Sequence, residues 1–238
     1  TRRSSDLFLG RVHGKAAGTI GAVGSFSFQN SKHMTCGEGG IVVTDNPDYA
    51  QRMRRFSSLG YGQISAAPGQ SKIDKNAIAA PETVRHVEYG YNYRLSELCS
   101  AVACAQLERL DLLVARRREC AQHFLDAVSG CDFLTPQTTP IGVEHSYWAC
   151  ALRLDTDRVP WHRFRDAFLA RGGDGFYGAW RLTYQEPYYA GLFPDALGTC
   201  PNAEALQPRM IQLKTHYGDT KEMERQAAIL KATIDDVR

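Results

Sequence analysis

The chain has 238 residues, 43% of them hydrophobic, with a formal net charge of +2 and seven cysteines. That is enough apolar sequence for one large or two small packed domains, and basic residues scattered outside Arg52, Arg54, Arg55 and Arg116 to Arg118 exclude a nucleic-acid footprint or a polybasic membrane anchor. No apolar run approaches the roughly 18 residues of a membrane span and no charged-then-apolar leader opens the sequence, so a cytoplasmic location is expected. The odd cysteine count without CxxC spacing points to neither a disulfide framework nor a metal site.

In chain order, "TRRSSDL" resembles the translation of a sequencing adapter, and residues 1–9 are set aside as a leader foreign to the fold. Residues 23–28 ("VGSFSF") and 40–44 ("GIVVT") have the aromatic and β-branched content of short buried strands. Asn46 caps a helix that opens on Pro47 and runs to about residue 57. Residues 60–85, with Gly60, Gly62, Pro68, Gly69 and Pro81, show no period. They read as a long excursion of the kind that carries function or lacks order.

Ser96 caps a long helix over about 96–130, continuous or with a bend, on which Leu98, Val102, Ala105, Leu110 and Leu113 should form the buried face, with Cys99 and Cys104 as small core residues. A strand follows at 147–154, then a helix at 160–170, and a last helix opened by Asp219 and Glu222 at capping-box spacing. The aromatic run Phe176, Tyr177, Trp180, Tyr184, Tyr188 and Tyr189 either forms the core of the second unit or flanks a substrate ring; the core reading is favoured. Two units result, 10–118 and 119–238, joined by the long helix, and alternating strands and helices make the first an α/β unit.

Only seven of the 28 basic residues are lysines, and Lys32 occupies an unusual setting. Phe26 and Phe28 alternate with Ser25, Ser27 and Gln29, so one strand face is apolar and the other polar, and Lys32 follows on the polar side. Gly37, Gly39 and Gly40 come next and let the backbone turn sharply or approach a ligand. An amine on short backbone beside hydroxyl donors suits a Schiff-base cofactor, whose aldehyde needs an unprotonated nucleophile.

"SFSFQNSKHMTCGEGGIVVTDNPDYAQRMR" and "GYNYRLSELCSAVACAQLERLD" together resemble the DegT/StrS-type sugar aminotransferases, pyridoxal-phosphate enzymes of the aspartate aminotransferase fold. The resemblance is firm over 18–115 and loose beyond 130. It implies an α/β fold, the C-terminal part of a large domain with a mixed sheet flanked by helices, plus a smaller α+β domain. It further implies that Lys32 bonds pyridoxal 5′-phosphate covalently and then moves the proton between the amino donor and the cofactor. By the same resemblance Ser27 binds the phosphate, Asn92 reaches the phosphate of a neighbouring subunit in a homodimer with shared active sites, and Arg94 and Tyr91 lie near the substrate. Arg94 serves equally well as a pairing partner within the fold. His33 is read as a loop side chain rather than a base.

The expected reaction moves an amino group from glutamate or glutamine to a keto-sugar, nucleotide-linked, or to a keto-cyclitol; the partners are small molecules. Relatives of the same fold that dehydrate sugars carry histidine in place of the lysine, so Lys32 speaks against that chemistry. A non-catalytic sugar- or cofactor-sensing relative is the other reading. The family's aromatic that stacks on the cofactor ring and its aspartate for the pyridine nitrogen have no counterpart before Gly10, so this chain is expected to be an N-terminally truncated, inactive fragment.

Overall fold

The computed structural model describes residues 8–64, 76 and 79–238, so the adapter-like start and most of the centre of the 60–85 excursion lie outside the described residues. The chain divides into two compact units, the first ending at Asp111 and the second running from Leu112 to Arg238.

The first unit opens with a hairpin, β1 (Arg11–Val12) and β2 (Lys15–Ala16), antiparallel about His13 and Gly14. Both turn residues have positive φ, +49° and +77°, the geometry that matches the strand twist in a two-residue loop. A second antiparallel pair joins β3 (Gly24–Ser27) to β4 (Gly40–Val43), with Phe26 opposite Ile41 and Ser27 opposite Gly40. Alternation along β3 works as the sequence suggests: Phe8 packs on Phe26 and Phe28 with ring centroids 5.1 and 6.2 Å away. Phe8 itself is buried and belongs to the fold, although the sequence reading put it in the leader.

Helix α1 (Pro47–Phe56) begins as expected, with the Asn46 side chain accepting from the amides of Asp48 and Tyr49 at 2.9 and 3.1 Å. The chain then turns sharply, and residues 57–62 run beside 85–93. Leu59 N donates to Tyr91 O, Gly62 N to Arg85 O, and Val87 N to Gly60 O, so the two ends of the excursion are fastened together.

Helix α2 (Glu97–Leu107) is capped by Ser96, whose Oγ accepts from Cys99 N. The expected single helix is interrupted at Glu108 and Arg109, and α3 (Leu110–Val128) starts afresh. The apolar face assigned to α2 is not buried: Leu98 is 82% exposed, and Val102, Cys104, Ala105 and Leu107 are exposed as well. Only Ala103 of α2 is buried, because nothing among the described residues packs over the opposite face.

The second unit is built on an antiparallel sheet in the order β5 (Leu134–Pro136), β6 (Ala149–Leu154), β7 (Met210–Lys214). Cys150, Leu152 and Leu154 of β6 and Ile211 and Leu213 of β7 point to one face at period two. Against them pack α3, α4 (Trp161–Ala170) and α7 (Thr220–Val237), through Phe124, Phe164, Phe168, Met223, Leu230 and Ile234. Asp219 caps α7 by accepting from Glu222 N at 2.9 Å, but the Glu222 carboxylate turns forward to Arg225 and Gln226, so half of the expected capping box forms.

Between α4 and β7 the chain runs through two short helices, α5 (Pro187–Leu192) and α6 (Pro201–Leu206). Of the aromatic run read as core, only Phe176 is buried; Tyr177, Trp180, Tyr188 and Tyr189 are exposed. Short helices and turns cannot present the continuous apolar face that would bury so many rings. A buried cation also contributes: Arg117 donates to Trp148 O at 3.0 Å and to Thr215 Oγ1 at 3.3 Å, and burial lowers its pKa to about 10. It therefore remains charged at neutral pH. Among the described residues no helix is long and apolar enough to cross a membrane, and no cluster of His, Cys, Asp and Glu could hold a metal.

Candidate active site

Lys32 lies in the connection from β3 to β4, residues 28–39, and backbone hydrogen bonds at the base of this connection hold it closed. Phe28 N donates to Gly39 O at 2.9 Å, while Phe28 O accepts from both Cys36 N and the Thr35 hydroxyl at 3.0 Å. Thr35 Oγ1 in turn accepts from Gly37 N at 2.9 Å. Inside the loop, Gln29 organises the approach to the lysine: its Oε1 accepts from Ser31 N and Ser31 Oγ, and its carbonyl accepts from Lys32 N at 3.0 Å. Lys32 is half-buried.

Ser27, the last residue of β3, is also half-buried, and its Oγ accepts from Gln29 N at 3.3 Å. A serine hydroxyl keeps one proton to donate. His33 is buried, with the Phe8 ring edge-on to its imidazole at 6.2 Å. It is a loop residue, as the sequence indicates, but it lies inside the unit rather than on its surface.

Tyr91, Asn92 and Arg94 occupy a second segment, and all three are exposed. Asn92 forms a bridge with Ser58, and Tyr91 N donates to Phe56 O at 2.7 Å. This segment meets the Lys32 connection through Leu95: a β-carbon on Gly39 would come within 2.8 Å of Leu95 Cδ1 and 2.9 Å of Cys36 Sγ. Ser27 thus ends the strand that leads into the Lys32 connection, and the Tyr91 to Arg94 segment abuts, through Leu95, the glycine turn that closes it.

The sequence reading missed two features here. Tyr89, Tyr91 and Tyr93 form a ring ladder with Phe56; Tyr91 and Tyr93 are stacked at 5.1 Å and 16°, and Tyr89 OH donates to Tyr91 OH at 2.9 Å. That hydrogen bond raises the pKa of Tyr89. The signal was present in the every-second-residue spacing of the tyrosines, which in extended backbone puts them on one side. The second is the enclosure of Cys36, buried behind Gly39 with its Sγ donating to Glu38 O at 3.4 Å. Burial first, and then the neighbouring Cys99, raises the Cys36 pKa.

A half-buried primary amine, a serine hydroxyl five residues before it and a turn rich in glycine form a donor set for a ligand that combines an aldehyde with a phosphate. Residues 8–231 match the family model of the DegT/DnrJ/EryC1/StrS aminotransferases. The chain belongs to this family. Its cofactor, pyridoxal 5′-phosphate, carries both an aldehyde and a phosphate, and the residues around Lys32 fit it.

Solved aminotransferases also share the fold, that of the fold-type-I pyridoxal-phosphate enzymes. An aminotransferase from Psychrobacter cryohalolentis superimposes with a TM-score of 0.84 at 20% identity, covering 99% of this chain and 61% of that one. PseC of Helicobacter pylori, an aminotransferase involved in the biosynthesis of pseudoaminic acid, gives 0.79 at 22% identity over 98% of this chain and 59% of its own. DesV of S. venezuelae, solved with a ketimine intermediate, gives 0.76 at 24% identity over 95% and 55%. The chain therefore spans a little over half the length of the solved relatives it matches.

Proposed function

We propose that this chain carries the lysine-bearing part of a pyridoxal-phosphate-dependent aminotransferase that moves an amino group from glutamate or glutamine to a keto-sugar, nucleotide-linked, or to a keto-cyclitol. The observation that carries this reading is the position of Lys32. It is half-buried in a closed connection, five residues beyond Ser27, within the stretch that matches the family model. The similarity to PseC, an aminotransferase involved in the biosynthesis of pseudoaminic acid, and to the sugar aminotransferase CalS13 of Micromonospora echinospora supports the acceptor class.

When bound, the cofactor supplies an electron sink for the bonds at the donor's α-carbon. Lys32 Nζ is the nucleophile toward its aldehyde and, once displaced by the donor amine, the base that takes the α-proton and returns it. Ser27 donates its hydroxyl proton to a phosphate oxygen. Asn92 is assigned to the phosphate of a neighbouring subunit, with Arg94 and Tyr91 on the substrate side, where a guanidinium suits an acidic group. A homodimer follows from that assignment, and the exposed apolar side chains Leu98, Val102 and Leu107 on α2 support an interface on this face. In domain terms, residues 10–118 belong to the large cofactor-binding domain and 119–238 to the small one. The location is cytoplasmic.

The test is borohydride reduction of the protein after exposure to pyridoxal phosphate, followed by peptide mapping. Label on the Lys32 peptide, lost in Lys32→Ala, is the expected result. Label on another lysine, or none, would replace the aminotransferase reading with that of a sugar- or cofactor-sensing relative.

A further inference from the structure

The turn that leads into β6, residues 144–148, is held by an imidazole. Tyr147 is one of four residues other than glycine with positive φ among the described residues, at +49°, a conformation that disfavours an aromatic side chain and persists only with outside support. Its amide donates to His145 Nδ1 at 2.9 Å, and the two rings lie 4.3 Å apart between centroids. A backbone amide has only a proton to give, so Nδ1 has to be the bare nitrogen of a neutral ring, with the ring proton on Nε2. The contact does the work of an Asx turn, in which a side-chain oxygen accepts from the amide two residues on.

The carbonyls of the same turn hold groups from two other elements. Thr215 Oγ1, just past β7, donates to Tyr147 O at 2.6 Å and lies 3.1 Å from Trp148 O, which also accepts from the buried Arg117 guanidinium of α3 at 3.0 Å. Arg118, the next residue of α3, donates its Nε to His145 O at 3.0 Å, and its Nη2 is 3.9 Å from Glu144 Oε2. The charged groups that face His145 are therefore Arg118 from α3 and Glu144 from its own segment; the β7 side presents Thr215, which does not titrate, with His216 next to it in the chain. His145 is half-buried, and burial first, then Arg118, lowers its pKa. A proton on Nδ1 would set two donors face to face and add a positive charge beside Arg118.

We propose that the 144–148 turn is a pH-operated latch: protonation of His145 breaks its hydrogen bond with the Tyr147 amide, and the turn leaves its left-handed conformation and loosens the carbonyls that hold Thr215 and Arg117. A histidine whose folded pKa lies below the unfolded one stabilises the native turn fully above the ordinary histidine range, and this stabilisation is lost as the pH falls through the folded value. The latch is thus closed at neutral pH and opens on acidification. It lies within the second unit and does not depend on what Lys32 binds.

The experiment follows the Tyr147 amide and the His145 imidazole nitrogens by NMR on the folded 238-residue chain, between about pH 8 and 5. The expected result is a Tyr147 amide that shifts and exchanges with solvent about fivefold faster or more, the worth of one hydrogen bond, with the same midpoint as His145. His145→Asn supplies an oxygen that accepts from the same amide and cannot titrate, so in that variant the Tyr147 amide should stay protected across the range. His145→Ala should show the fast exchange at every pH, and His216→Asn should leave the wild-type response in place. Circular dichroism of each variant separates opening of the turn from loss of the fold. A Tyr147 amide that stays protected while His145 titrates, a His145 that stays neutral until the whole chain unfolds, or a response that survives His145→Asn or disappears with His216→Asn overturns the proposal.

Discussion

Gly39 and Leu95 are in direct apposition: with φ at +159°, Gly39 turns the backbone so that a β-carbon there would lie 2.8 Å from Leu95 Cδ1. Both obstructing atoms, this methyl and Cys36 Sγ, belong to side chains. Gly39→Ala should therefore lower stability by about 1–3 kcal/mol, part from backbone strain and part from crowding. Chemical denaturation would measure it, and trimming the leucine in Gly39→Ala/Leu95→Ala should recover the crowding part but not the strain.

Two other glycines make a sharper contrast. Gly14 has φ +77° with open space around its missing side chain, whereas Gly60 has φ +70° with Glu88 O only 1.8 Å from where a β-carbon would sit. Gly14→Ala should cost about 1 kcal/mol, the backbone penalty alone. Gly60→Ala has to displace a backbone carbonyl and should cost several times as much, with loss of the pairing between 57–62 and 85–93. Denaturation midpoints and amide exchange at Val87 and Tyr91 would distinguish the two.

The acid limb of the stability curve should depend on Glu222. Its carboxylate is held by both Arg225 Nε and Nη2 at 2.8 Å and by Gln226 Nε2 at 2.9 Å, and the Arg225 hydrogen bonds first, then that of Gln226, lower its pKa to about 2. A folded-state pKa below the unfolded one favours the native state above the unfolded value, and this contribution is lost as the pH falls from the ordinary glutamate range toward about 2. Glu222→Gln should flatten that part of the curve while leaving its shape between pH 6 and 8 unchanged, as thermal melts across pH would record. The effect should be small, because Arg225 is half-exposed.

If α2 contributes to a homodimer, a charge in its exposed face should weaken association without disturbing the fold. Leu98 is 82% exposed, so Leu98→Asp removes almost no core packing. Sedimentation should show a shift toward monomer with an unchanged circular dichroism spectrum. A dimer of undiminished affinity would exclude this face from the interface.

Short-range chemistry made much of this fold legible in the sequence. Asn46, Ser96 and Asp219 cap the helices they were expected to cap, because each side chain needs only an amide two or three residues away. The alternation of Phe26 and Phe28 with serines likewise predicted the strand that delivers the chain to Lys32. What failed depended on distant partners. Leu98 and Val102 carry a helical period, but a period says which side chains share a face and not whether anything covers it. Trp180 and Tyr188 look like core by composition, yet they fall in turns and short helices with no face to offer. The burial of His33 and Cys36 was invisible because tertiary packing, not local sequence, decides which side chains are enclosed.

The fastened ends of the excursion after α1 have a consequence for how this protein can change. Hydrogen bonds from Leu59, Gly62 and Val87 close the segment at its root, so the Tyr91 to Arg94 stretch is anchored on the near side of whatever the loop contains. Lengthening a loop already closed at its base adds only about 0.6 kcal/mol per doubling. The fastening extends past the root, since Gln63 Nε2 donates to Val84 O at 3.2 Å and Gln51 Nε2 donates to Ile64 O. A change in chain length between Ile64 and Val84 should therefore leave the register of the root intact, so the Tyr91 to Arg94 stretch keeps its place.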